Sequence, residues 1–122
     1  MQQGDVRRII AVEAHRRRSG RCPVLVHSLG TGESFDIRPT PDGFVDIASG
    51  VAVRVSGERL LLSDDRRAVD LHLSGDIAFD GYDHISNERF SGRAGGGASV
   101  TIYDSEQVNY FQYAVAAEGD RY

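Results

Sequence analysis

The chain has 122 residues, 40% of them apolar, and its eighteen acidic and fourteen basic residues leave a formal net charge of −4. A chain of that length folds as one domain burying roughly two thirds of its unfolded surface, which excludes disorder as a description of the whole. No apolar run approaches the ~20 residues of a membrane-spanning helix. Met1-Gln2-Gln3-Gly4-Asp5 lacks a secretory leader pattern, and Cys22 is the only cysteine, so a cytoplasmic protein without disulfides is expected.

The charge is unevenly placed. Arg7, Arg8, Arg16, Arg17, Arg18 and Arg21 face only Asp5 and Glu13 within residues 1–21, whereas acids predominate in the remainder. This is the pattern of a basic end on an acidic body, and it suits an acidic partner or a second copy of the chain. Every basic residue is Arg, whose planar donors suit carboxylate or phosphate.

In chain order, Asp5 is placed to cap a helix ending near Ser19, with Gly20 as its stop signal. Val6, Ile9, Ile10 and Glu13 share one narrow face, so the helix is expected to pack against the body while His15 to Arg18 project around its last turn. From Cys22 onward the pattern is β. Pro23 opens a strand through Val24 to His27, and Ser34 to Arg38, Phe44 to Ala48 and Val51 to Val55 follow, the last with the cleanest alternation. Pro41-Asp42-Gly43 is a strong turn signal between two of them. Arg59 to Leu62 has no assignable face, Ser63 to Arg67 reads as a polar turn, and Val69 to Leu73 alternates again. After Ile77 to Phe79, residues 80–99 read as one long loop, with glycines at Gly95-Gly96-Gly97. A hairpin, Val100 to Tyr103 and Val108 to Val115 joined across 104–107, finishes the chain before a polar tail from 117 to 122.

Five Ser-Gly pairs punctuate these segments and turns recur every 7–10 residues, which describes a meander of short antiparallel strands. The expected fold is mainly β: six to nine strands in a barrel or sandwich, with one N-terminal helix packed on it. Residues 1–20 form the basic helix and 21–116 the β body of a single domain.

The sequence carries little catalytic signal. No two of His15, His27, His72 and His84 have zinc-ligand spacing, so neither a metal nor another cofactor is expected. Asp70 and His72 share a strand face where a carboxylate could orient an imidazole, but no nucleophile elbow accompanies them. Gly30-Thr31-Gly32 and Gly95-Gly96-Gly97 match no phosphate-binding loop. Cys22, within Cys22-Pro23-Val24, reads as a packed apolar residue.

Three functions are compatible with this pattern. The first is a non-catalytic protein-interaction or self-association module, with Arg16, Arg17, Arg18, Tyr103, Tyr110, Phe111 and Tyr113 at the interface. The second is a small enzyme or ligand-binding barrel whose pocket lies under loop 80–99, lined by His72, Asp80, Asp83, His84, Asn87, Arg89 and Arg93, with Glu88 nearby. The third is nucleic-acid association through the basic helix, which the acidic body disfavours.

Overall fold

The computed structural model describes residues 4–62, 67–104 and 109–117. Helix α1 (Gly4–Ser19) precedes ten strands: β1 (Pro23–Ser28), β2 (Ser34–Thr40), β3 (Gly43–Asp46), β4 (Val51–Ser56), β5 (Arg59–Leu62), β6 (Ala68–Ser74), β7 (Ala78–Asp83), β8 (Glu88–Ala94), β9 (Ser99–Asp104) and β10 (Asn109–Ala117). Each strand pairs antiparallel with its sequence neighbour, and β10 returns to pair with β1. The sheet is a closed barrel, which leaves no edge strand to template aggregation.

Of the two expected architectures, barrel or sandwich, the fold is the barrel. Two expectations change. The sheet has ten strands rather than six to nine. The addition comes from residues 80–99, read above as a loop: they contain the end of β7, all of β8 and the start of β9. The second change is the position of the helix. Ala11 and Val12 lie on the side of α1 away from the stripe of Val6, Ile9 and Ile10, yet all five are 0% exposed. The helix touches β1, β6, β8, β9 and β10, and its side chains also reach Asp46 of β3 and Phe35 of β2. A helix lying against the outside of a barrel meets only a few adjacent strands. Helix α1 therefore runs through the lumen, as the all-round burial of a core helix requires.

The strands supply the wall of this core in period two. Phe44, Val51, Val53, Leu60, Leu62, Val69, Leu71, Phe79, Phe90, Val100, Ile102 and Val115 face inward and are almost completely buried, while their sequence neighbours face out. On β7 and β8 the inward positions include Gly81 and Gly92. Gly81 pairs with Phe90, and Phe79 with Gly92, so each ring covers the glycine across from it. The two rings meet edge to face at 6.4 Å. A Cβ at Gly81 would run into the Phe90 ring and the Asp70 carbonyl; one at Gly92 would meet the Phe79 ring and the Thr101 carbonyl. The glycines are what let two phenylalanines fill this part of the lumen.

Because the strands alternate in direction, α1 begins at one end of the barrel (the mouth) and ends at the other (the base). Two of the mouth turns share a pattern. In Asp46-Ile47-Ala48-Ser49-Gly50 the aspartate is fully buried and accepts a bond from Ser49 Oγ at 2.6 Å, and Gly50 has φ +75°. In Asp83-His84-Ile85-Ser86-Asn87 the buried Asp83 accepts the Ile85 N–H at 2.8 Å, and Asn87 has φ +59°. Aspartate thus ends each inbound strand by satisfying turn donors, and a residue tolerant of left-handed backbone starts the next strand.

Polar groups on an enclosed helix need partners inside the lumen. Arg8 donates Nε and Nη2 to Asp46 at 2.9 and 2.6 Å, and its guanidinium lies 3.9 Å from the centre of the Phe35 ring. Glu13 is 0% exposed and accepts from Arg16 (2.7 and 3.0 Å) and Arg17 (2.6 Å). Arg17 also donates to the Leu71 carbonyl, and Arg18 donates to the carbonyls of Ser74, Gly75 and Ala78. The cluster expected to project around the end of the helix instead ties that end to the wall.

Of the turns expected over 63–67 and 104–107 and the tail over 117–122, residues 63–66, 105–107 and 118–122 lie outside the described residues. Ala117, placed in that tail, is buried and pairs with Pro23 as the last residue of β10.

Two substitutions test this packing. Ala11→Glu would be harmless on a surface helix, but inside the barrel it should cost about 3 kcal/mol or more in urea unfolding, as an unpaired charge in a closed core. Gly92→Val should cost about 1–3 kcal/mol by overpacking against Phe79, while Gly97→Ala, which meets nothing within 4 Å, should be close to neutral.

Candidate functional site

With the lumen filled, the chemistry open to a partner lies on the outer wall and at the two rims. Cross-strand register sets the wall. Arg59 pairs with Asp70, Asp70 with Tyr82, and Tyr82 with Arg89. Two residues beyond Arg89, Ser91 pairs with Tyr103, which pairs with Tyr110. One outward row of arginine, aspartate and tyrosine thus crosses six strands, β5 to β10.

The row is internally organised. Arg59 donates Nε and Nη2 to the two Asp70 oxygens at 2.9 and 3.3 Å, and His84 Nε2 lies 2.7 Å from Asp70 Oδ2. Tyr82 packs edge-on to the His84 ring at 4.7 Å, Arg89 lies 6.0 Å above the Tyr82 ring, and Tyr103 and Tyr110 have ring centres 4.9 Å apart. Tyr110 is 64% exposed, the largest value among the large apolar and aromatic side chains of the described residues. A shallow depression of about 280 Å³ lies between Asp80, Arg89, Ser91 and Tyr103.

Protonation follows from these contacts. The Arg59 guanidinium, then the His84 ring, hold the Asp70 carboxyl down to about 2. The hydrogen bond that His72 Nδ1 donates to Glu58 Oε2, 2.7 Å away, raises the imidazole above its ordinary 6.5, with Asp80 adding attraction across the strand pair. The two histidines thus have separate carboxylate partners, and the pairing of Asp70 with His72 suggested by their spacing does not form.

The residues expected under loop 80–99 occupy different surfaces. His72, Asp80, Arg89 and Arg93 stand on the outer wall, His84 and Asn87 lie in the β7–β8 turn, and Asp83 faces the lumen. Tyr82 Oη approaches Asn87 Oδ1 at 3.4 Å. Asp80 and Arg89 line the shallow depression together, and the other five side chains do not join them there. Among the described residues, no three His, Cys, Asp or Glu side chains are grouped to hold a metal ion.

The residues expected at an interface divide similarly. Tyr103 and Tyr110 are on the outer wall, while Phe111 and Tyr113 point inward at the mouth, where Arg7 lies 3.9 Å above the Phe111 ring. Burial raises the Tyr113 hydroxyl, an effect that Arg7 opposes. Arg16, Arg17 and Arg18 are held at the base by Glu13 and strand carbonyls. Arg59, Glu58 and Tyr82 were not singled out from the sequence. Their signal is register, since the partners are 11 and 14 residues apart and meet only when β5, β6 and β7 align.

Comparison with protein-family models, with curated proteins and with solved structures returned no match. No helix among the described residues is long and apolar enough to cross a membrane.

The two shifted groups define opposite pH signatures. Asp70, depressed in the folded state, contributes stability above about pH 4 that is lost as pH falls towards 2. His72, raised in the folded state, contributes below the pKa of an unfolded histidine, and that contribution is lost as pH rises through its folded value. In NMR titrations Arg59→Gln should move the Asp70 carboxyl up from about 2, and Glu58→Gln should return His72 towards 6.5.

Proposed function

We propose that the protein is a non-catalytic interaction module that binds a protein partner, a second copy of itself included, through the outer wall of β5 to β10. The row from Arg59 to Tyr110 carries this reading. Tyrosine and arginine are the side chains enriched where proteins meet. They offer large contact area with few rotatable bonds, and they pair with aromatic or charged groups alike. Here the row is stiffened by its own contacts, which lowers the ordering cost of docking. The helix in the lumen supports the same reading, because it takes up the middle of the interior, where a barrel would carry a ligand, and leaves cavities at its two ends. The Asp70–His84 pair supports it too: it is held on the outer wall by Arg59 and Tyr82, and neither residue is in the lining of the depression beside Asp80 and Arg89.

The second sequence-level alternative needs a pocket beneath residues 80–99, where the chain instead forms the end of β7, all of β8 and the start of β9. The third needs a free basic helix, whereas Arg8, Arg16, Arg17 and Arg18 are held within the barrel. The charge left on the outside belongs largely to the acidic body.

Light scattering over a range of concentration tests the reading. Self-association, or capture of one partner, should weaken at least tenfold in the double variant Arg89→Glu, Tyr110→Ser, with unfolding midpoint unchanged. A protein that stays monomeric and captures nothing that this variant loses would refute it.

A further inference from the structure

The mouth of the barrel carries a second feature, on a different surface from the outer row. It is a cavity of about 540 Å³ between the start of α1 and the adjacent strands β10, β1 and β2. Register places its wall on the inner side of the sheet. Val26, fully buried in the lumen, pairs with Val115 on one side and with Phe35 on the other. Two residues nearer the mouth, Ser28 pairs with Tyr113, and Phe111 lies two residues further along β10. Side chains alternate along a strand, so Phe35, Ser28, Tyr113 and Phe111 all point inward, towards the helix.

Both phenyl rings are only partly buried, unlike Val26, Ile37 and Val115 deeper in the same strands. Each carries an arginine on one face: Arg7 lies 3.9 Å above Phe111, and Arg8 lies 3.9 Å above Phe35. Arg8 is fixed by Asp46 at 2.9 and 2.6 Å, and Arg7 donates to the Tyr113 hydroxyl. The guanidinia therefore serve as flat, fixed walls, not as anion ligands. The turn that closes the cavity is equally ordered. The Leu29 N–H bonds to the Gln112 carbonyl at 3.0 Å, and the Gly32 N–H to the Ser28 carbonyl at 2.8 Å. The Leu29 side chain, 55% exposed, is thus held at the edge of the cavity. Together with the two half-covered rings it presents apolar surface that a ligand would remove from water.

The charges along this lining balance among the described residues. Arg8 is matched by Asp46 behind it and Arg7 by Glu33 on the same lining. Asp5, in the first turn of α1, offsets the positive end of the helix dipole. The polar groups left to a ligand are hydroxyls. Ser28 Oγ accepts the Thr31 N–H at 3.4 Å and Thr31 Oγ1 accepts the Glu33 N–H at 3.3 Å, so each keeps its own proton to donate.

We propose that the mouth cavity binds an uncharged, flat aromatic molecule that bears a carbonyl-type acceptor. Its ring packs against Phe35, Phe111 and Leu29, and its acceptor takes a hydroxyl proton from Ser28 or Thr31. Arginine–phenyl stacks favour a flat ring, because offset and edge-to-face packing need planar partners. Balanced charge offers a carboxylate or an amine no net attraction to offset its lost hydration. The volume is that of an ordinary small-molecule site.

Amide NMR titration of the full-length protein with coumarin, a neutral bicyclic lactone, and separately with coumarin-3-carboxylate tests the site. Saturable shifts with coumarin are expected at Arg7, Arg8, Leu29 to Glu33 and Phe111 to Tyr113. The carboxylate should bind at least tenfold more weakly. Leu29→Asp should weaken coumarin binding at least tenfold, whereas Ile77→Asp, at a position 51% exposed beside the base, should leave it unchanged. Thr31→Val should weaken it about three- to tenfold, the worth of one neutral hydrogen bond. Leu29 and Thr31 sit in an exposed turn, so both variants should keep the unfolding midpoint, and if one fails to fold the other decides. Absence of saturable shifts, shifts centred away from the mouth, carboxylate binding as tight as that of coumarin, or undiminished affinity in a folded Leu29→Asp or Thr31→Val variant would overturn the proposal.

Discussion

Everything in this structure depends on a closed sheet having a helix inside it. Ten paired strands leave no edge, but they also enclose a space that their own inward side chains do not fill. Helix α1 fills it, and from that moment each of its faces is a core face. Val6, Ile9, Ile10, Ala11, Val12 and Ala14 then serve as core residues whatever direction they point. Charged residues on the same helix are tolerable only if the wall answers them. Asp46 answers Arg8, and backbone carbonyls answer Arg17 and Arg18. Removing one member of a buried pair of this kind costs about 3–5 kcal/mol, mostly because the other is stranded.

This arrangement inverts the meaning of the basic N-terminus. A run of arginines on a short helix reads as a surface awaiting an acidic partner. Inside the barrel it becomes internal scaffolding, and the electrostatics presented to solvent are those of the acidic remainder with its scattered outer arginines. What the scaffolding leaves over is local: two arginines on one glutamate make the base end electropositive beside a cavity. The outer wall and the base rim are thus separate surfaces, joined only through the helix that stabilises both.

Much of the β body was legible because its signals are short-ranged. The strands Val51–Ser56 and Ala68–Ser74, and the turn at Pro41-Asp42-Gly43, follow from alternation and from residues with restricted or unusual φ. Strand β8 was not legible. Its inward positions are Phe90, Gly92 and Ala94, and its outward ones Arg89, Ser91 and Arg93, so only one large apolar residue marks the buried face. The reason for Gly92 is the Phe79 ring on the neighbouring strand, which no window of β8 alone contains. The paired pattern of Asp46 to Gly50 and Asp83 to Asn87 is a signal that was available: two aspartates, each three residues before a serine and four before a residue with positive φ.

By itself the sequence determined the class of structure and the punctuation of the chain: one helix, then a long antiparallel meander reversed at small residues. These follow from backbone preferences and period-two burial, which act over a few residues. Only the tertiary structure decided that the meander closes, that the helix lies within it, and which polar residues meet. Those outcomes depend on contacts between residues far apart in the chain, such as Arg8 with Asp46 and Arg59 with Asp70, and on whether the enclosed volume matches the helix that must occupy it.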